Sequence, residues 1–406
     1  MKHVIIGAGA AGISAAKTIR TFKPTDEIVI ISTDDVVHSR CMLHHYISDE
    51  RNEKTMSFID DNFFQKNNIR WINGKTVTGV DTIKKLVVMD NTSESFDTLL
   101  IATGSDSISL PHIGVQNYKN MVALRSLSDA KMIREHAKAI ENIIIVGAGL
   151  VGLDVAYALI DLGKKPTVVD MSDTILQLNL DTYASNVYRQ KFEEAGCMFH
   201  LGKKVSTAED NPSGNIVSLT LDSGEKLPCN LVIVAIGSRP GVQFLSGSGI
   251  VCENGLTVNA HLATNVEGIY GAGDVTGLSG LWPNAIKQGE VAAKNMVGIS
   301  TVYEDVYAIK NTINYFGIPS LSIGRVESID GDIVEIRESR NSYAKVILHD
   351  GLVNGVLLQG DISHSGFWQY LIKNNIDVSQ INKSALDLSF ADFYGMKVNG
   401  EYEWVV

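Results

Sequence analysis

Residues 3–19, "HVIIGAGAAGISAAKTI", and residues 142–159, "NIIIVGAGLVGLDVAYAL", carry one pattern twice: a β-branched run, a GxGxxG turn, then an apolar helical periodicity. One such motif alone is compatible with a plain glycine-rich turn. Two in strand–turn–helix context predict a repeated βαβ unit, each built to take a dinucleotide. The glycines have separate jobs. Gly7 and Gly147 allow the tight turn, Gly9 and Gly149 let backbone approach a pyrophosphate, and Gly12 and Gly152 let helix close on strand. The helix N-terminus then faces the phosphates, and Ala11 and Val151 inside the motifs join the expected contacts.

The strand after each motif sets the nucleotide. After the second motif comes "KKPTVVDMSDTIL", a strand ending at Asp170 about 20 residues past the glycines, where a carboxylate accepts the ribose hydroxyls of NAD and repels a 2'-phosphate. No Arg or Lys lies in 171–176, which favours NADH over NADPH; the plainer alternative is that Asp170 only closes its strand. After the first motif the matching strand, "EIVIISTDD", ends at Ser32 without a carboxylate, and Asp34 comes closely behind; both are candidate contacts at a less standard site.

The 406 residues are 45% hydrophobic and 20% charged, as expected of a globular protein with two or three domains. Four scattered cysteines (Cys41, Cys197, Cys229, Cys252) form no CxxC and no dense framework, the usage of a reducing cytoplasm. No apolar run approaches the roughly 18 residues of a membrane span, so no membrane partner is expected. A net charge of -11 opposes nucleic-acid binding. No metal site is expected.

Three further runs end in glycine turns: "FDTLLIATGS" from Phe96, "NLVIVAIGSRPG" from Asn230 and "VEGIYGAGDVTG" from Val266. In this order the motifs resemble the FAD- and NAD(P)H-dependent pyridine nucleotide-disulfide oxidoreductase superfamily over about residues 1–300. The resemblance implies an α/β protein with two Rossmann-like domains of glutathione-reductase type. An FAD domain, residues 1–110 and 240–302, is interrupted by an NAD domain, 111–239, and followed by a small α+β domain, 303–406. It further implies that Gly7, Gly9 and Gly12 hold the FAD pyrophosphate, that Ala102, Thr103, Gly104 and Gly237 lie in the crossing loops, and that Asp274, after Gly273, bonds FAD. A carboxylate opening a glycine turn can accept from a ribityl hydroxyl; the plainer reading of Asp274 is a helix cap. A helical pattern from about Ala285 would aim its first N–H groups at the flavin pyrimidine edge. Asp154 stands where relatives usually carry Glu near the nicotinamide, with a surface acid as the alternative.

The remaining sequence alternates as strands, with a turn expected at Asn354-Gly355. It resembles the short C-terminal domain of NADH:rubredoxin reductases and of nitrite reductase large subunits. Its aromatic end, "FWQYLI" and "SFADFYG", reads as packing.

The stretch "HSRCMLHHY" (residues 38–46) divides the functional readings. A CxxxxC pair is absent, which excludes a dithiol mechanism. Single-cysteine relatives, the NADH oxidases, peroxidases and CoA-disulfide reductases, place a cysteine where Cys41 stands, but the first two usually carry His where this chain has Ala10. Rubredoxin-reductase-like members show Arg-Pro here, so Arg40 matches and Cys41 replaces the proline. Ser39 as a cap, Arg40, His44 and His45 would favour a thiolate; packing, or ligation with His38, His44 or His45, are the alternatives. The leading reading is an NADH-dependent FAD oxidoreductase passing electrons to a separate iron-containing carrier, rubredoxin- or ferredoxin-like. The rivals are a Cys41 CoA-disulfide or persulfide reductase, and an NADH-binding flavoprotein that mainly binds a partner. A homo-oligomer stays open.

Overall fold

A computed structural model of the chain describes residues 1–90, 92–110, 118–305 and 310–404. It divides into two compact units: residues 1–171 with 197–304, and 172–196 with 305–406. The boundary expected at 110/111 abuts residues 111–117, which lie outside the described residues.

The larger unit contains two parallel five-stranded sheets, one for each glycine motif. In the first the order is Ile269–Gly271, Thr98–Ile101, Lys2–Ile6, Glu27–Ile31, Ile69–Ile72. Its central strands are buried along nearly their whole length, which is why they read as continuous β-branched runs rather than alternating ones. One face is covered by the helices Ala10–Phe22 and Trp282–Met296. The other packs against a three-stranded meander, Val77–Asp81, Leu86–Met89 and Thr92–Ser95.

The second sheet repeats the plan in the order Met198–His200, Thr167–Val169, Ile143–Val146, Leu231–Val234, Met121–Ala123. A two-stranded antiparallel ribbon, Ser105–Ser107 with Ser238–Pro240, carries the chain from one sheet to the other and back. Both nucleotide motifs follow the C-terminal ends of their strands, Lys2–Ile6 and Ile143–Val146, where doubly wound folds open their crevices.

The smaller unit is an antiparallel sheet in the order Lys310–Tyr315, Ile318–Gly324, Leu352–Gln359, Tyr343–His349, Ile333–Glu338. Phe367, Trp368 and Leu371 of the helix Ser365–Lys373 cluster with Leu321, Ile323 and Val346. Tyr188 and Phe192, from the helix Thr182–Glu194, pack edge-on against Tyr315, and the Tyr188 hydroxyl donates to the Ile318 carbonyl at 2.5 Å. The turn expected at Asn354-Gly355 is corrected: both residues lie inside a strand, and the hairpin turns at Asp350-Gly351, φ 48° and 78°. Tertiary packing selects glycine at 355, where a Cβ would come 2.0 Å from the Arg325 carbonyl oxygen.

Candidate active site

The first motif folds into a cradle whose shape comes from sterics. Gly7 adopts φ +112°, and a Cβ there would sit 2.1 Å from the Ala102 carbonyl oxygen; one on Gly12 would sit 1.9 Å from that of Gly7. Those two positions are closed to any side chain. Gly9 is the opposite case: a Cβ on it meets nothing within 4 Å. It therefore borders open space, directly at the N-terminus of Ala10–Phe22, a helix with no side-chain cap and no acidic residue in its first turn. A bare glycine edge against an uncapped helix end can seat a diphosphate.

The second motif repeats this closely. Gly147 has φ +114°, a Cβ on Gly152 would lie 1.9 Å from the Gly147 carbonyl oxygen, and Gly149 again meets nothing within 4 Å. Val151 is exposed at the start of the helix Leu150–Asp161. Asp170 stands one residue past its strand, and its carboxylate accepts the Ala148 N–H at 2.5 Å. That bond fixes the carboxylate at the lip of the cradle.

Around the first cradle the side chains form an alternating chain of charge. Arg40 donates to Asp34 at 2.6 Å and to the Arg125 carbonyl at 2.6 Å; the Arg125 guanidinium in turn donates to Asp274 at 3.2 Å. Ser105 also donates to Asp274, at 3.2 Å. Burial draws the Arg40 pKa below its ordinary value, with Asp34 opposing. Arg125 is the residue that sequence reading missed. A capping box at Ser126 and Asp129 starts the helix Leu127–Ala139 just after it, but no local signal shows a guanidinium reaching Asp274, 149 positions on.

Several expected contacts serve the frame. The Ser32 hydroxyl donates to the Asp34 carbonyl at 2.8 Å and accepts from Trp71 at 2.9 Å, shaping the strand end. Thr103 donates to the Gly241 carbonyl at 3.0 Å, and Gly104 accepts the Gly241 N–H at 3.1 Å, tying the two crossovers together. Gly237, φ +111°, accepts the Ile108 N–H in the same ribbon. Gly273, φ +84°, would press a Cβ to 3.3 Å from Ala11 and 3.7 Å from Ala285. The expectation for Ala285 is corrected. Its helix begins at Trp282, so the Ala285 N–H already bonds the Leu281 carbonyl at 3.0 Å, and Trp282 and Asn284 hold the helix end.

Cys41 lies in the short 3-10 turn Arg40–Met42, followed by the helix Leu43–Ile47. The cationic surroundings expected for its sulfur do not assemble. Ser39 makes no side-chain cap, Arg40 turns to Asp34, and His45 bonds Glu50 at 2.6 Å. His44 approaches Asp154 at 3.7 Å, too far for a hydrogen bond, and burial, with His45 and Arg51, pushes its pKa down to about 4. At neutral pH this contact is therefore not an ion pair. Although solvent reaches the Cys41 residue, burial of its sulfur first, then Asp274 and Asp154, raise the thiol pKa, with Arg125 opposing.

Residues 1–289 match the family described as pyridine nucleotide-disulphide oxidoreductase, and 310–376 match the rubredoxin NAD+ reductase C-terminal domain. The chain belongs to the pyridine nucleotide-disulphide oxidoreductase family. As a family member it is an FAD-dependent NADH oxidoreductase, and the twin glycine cradles fit two dinucleotides. This oxidoreductase is 27% identical over 392 residues to a nitrite reductase [NAD(P)H] of Bacillus subtilis (strain 168), covering 94% of the chain but 48% of that protein, about half its length. It is 26% identical over 370 residues to the NADH-rubredoxin oxidoreductase of Clostridium acetobutylicum, covering 89% of the chain and 92% of the relative. A solved structure of NADH:rubredoxin oxidoreductase from Clostridium acetobutylicum superposes with a TM-score of 0.78 at 26% identity, covering 94% and 97% of the two chains.

Proposed function

We propose that this oxidoreductase takes electrons from NADH and delivers them to a separate small iron-containing carrier protein, rubredoxin- or ferredoxin-like, in the cytoplasm. The observation that carries the reading is the setting of Cys41: the cysteine is free, Arg40 and His45 beside it in sequence bond Asp34 and Glu50, and burial raises its thiol pKa, which suits a thiolate nucleophile poorly. The names of relatives support the acceptor class, among them an NADH-rubredoxin oxidoreductase and a ferredoxin–NAD(+) reductase component. Among the described residues no helix is long and apolar enough to cross a membrane.

In this reading the first cradle is the FAD site. Gly7, Gly9, Ala11 and Gly12 seat the pyrophosphate, Asp274 accepts from the ribityl chain, and Arg40, Asp34 and Ser32 shape the nucleotide end. Thr103 and Gly104 hold the crossover, and the open end of the helix Trp282–Met296 favours negative charge on the pyrimidine edge. FAD held there would supply a carrier able to take the two electrons of one hydride and pass them on one at a time. Gly147, Gly149, Val151 and Gly152 seat NADH, Asp170 receives its ribose, and Asp154 stands beside the nicotinamide. The corresponding domains are residues 1–110 with 240–302 for FAD, 111–239 for NADH and 303–406 for the small C-terminal part.

The exposure of Cys41, directly after Arg40 of the first cradle, keeps one second reading, reduction of a disulfide or persulfide at this sulfur. Cys41→Ser separates the two. For a carrier reductase, NADH-driven reduction of ferricyanide or of a rubredoxin-like acceptor stays within a few-fold of wild type, a change of about 1 kcal/mol or less. A variant that still bleaches its flavin with NADH but reduces no acceptor would transfer the function to the thiol.

A further inference from the structure

The strand Ile333–Glu338 closes one edge of the smaller unit's sheet, and no strand pairs with its outer side among the described residues. Its side chains are the reverse of a guarded edge. Glu335 accepts the Ser384 hydroxyl at 2.5 Å, Arg337 donates to Asp387 at 2.7 Å and Glu338 accepts the Tyr183 hydroxyl at 2.6 Å, so the charged groups turn back to their own unit. Ile333 and Ile336 stand out instead, 64% and 57% exposed, with Val334 exposed between them. Edges are ordinarily blunted by outward charge, proline or a bulge, and this strand has neither proline nor a break in register.

The hairpin shows which backbone groups are open. The Ser339 N–H donates to the Ser342 carbonyl at 2.8 Å, and the register runs unbroken from there to Ile333 opposite Leu348. Hydrogen-bonded pairs alternate along an antiparallel ladder, so Arg337, Glu335 and Ile333 direct their N–H and C=O groups to the strand Tyr343–His349, and those of Val334, Ile336 and Glu338 point off the edge.

We propose that this edge pairs with the same strand of a second copy of the chain, antiparallel about a two-fold axis through Ile336. The open groups of Ile336 then meet those of its counterpart, and those of Val334 meet those of Glu338. Glu335 lies opposite Arg337 of the second copy on both sides of the axis, at the non-hydrogen-bonded positions where facing side chains come closest. Charge selects this register. An axis through Glu335 or Glu338 sets two carboxylates face to face, one through Arg337 sets two guanidinium groups, and one through Val334 loses both Glu–Arg pairs.

The test is sedimentation equilibrium of the full chain at concentrations up to ~100 µM. Wild type should dimerise reversibly, and protein that stays monomeric throughout overturns the proposal. Glu335→Arg and Arg337→Glu each place like charges opposite one another, so each variant alone should dimerise ~10-fold or more weakly. Mixing the two in equal amounts restores opposite charges at both positions and should recover wild-type association. Single variants that dimerise like wild type, or a mixture no tighter than its components, overturn the proposal. Ile336→Pro covers the case in which the charge variants fail to fold for want of their contacts to Ser384 and Asp387. It removes an outward N–H and no bond of the existing ladder. If it melts like wild type it should be monomeric, and a dimer of wild-type strength overturns the proposal.

Discussion

Gly9→Ala and Gly12→Ala add the same methyl group three residues apart and are expected to fail in different ways. At Gly12 the new Cβ would lie 1.9 Å from the Gly7 carbonyl oxygen, a backbone atom that cannot move without displacing the turn. Overpacking of this kind costs about 1–3 kcal/mol, and a contact to rigid backbone belongs at the upper end. At Gly9 the Cβ meets nothing within 4 Å, and the backbone, φ -81° and ψ -170°, is open to alanine. Its stability should hold or rise by about 0.4–1 kcal/mol through lost unfolded-state entropy. The open space, however, is where the pyrophosphate is expected, so FAD affinity should drop ~100-fold, about 2.7 kcal/mol. Thermal melts of flavin-free protein and fluorescence titration with FAD read the two quantities separately. Wild-type FAD binding by Gly9→Ala, or a wild-type melting temperature for Gly12→Ala, would refute this division of labour between the glycines.

The second cradle offers a parallel case: Asp170→Ala should raise the KM for NADH ~10-fold and narrow the preference over NADPH, through loss of the ribose acceptor and of the brace on Ala148. Steady-state kinetics with both nucleotides check it, and an unchanged kcat/KM ratio would remove Asp170 from the site. His44, held down to about 4 from 6.5, binds fewer protons folded than unfolded between those values. Stability should therefore fall as pH drops through that window, by on the order of 2–3 kcal/mol from this residue alone. Denaturant melts at pH 7 and pH 4 should show a shallower loss in His44→Gln, and an identical slope would place the titration elsewhere.

The sequence by itself determined the two cradles so far as each turn constrains itself: Gly7 and Gly147 take a positive φ, and Gly12 and Gly152 exclude a Cβ through the carbonyl of the glycine five positions before. The closure of Gly7 against the Ala102 carbonyl is already tertiary. The position of Asp170 past its strand was legible for the same reason. The tertiary structure decided whatever depends on residues far apart in the chain. Arg125 meets Asp274 across 149 positions, and the amide of Gln288 braces Gly273 from a different helix. The cations beside Cys41 in sequence suggested a thiolate, yet Arg40 and His45 turn to carboxylates of their own, and burial of the sulfur, followed by the charges of Asp274 and Asp154, raises its pKa. Local sterics are written in the order of residues; electrostatics is a sum over everything nearby in space, and only the folded chain sets that sum.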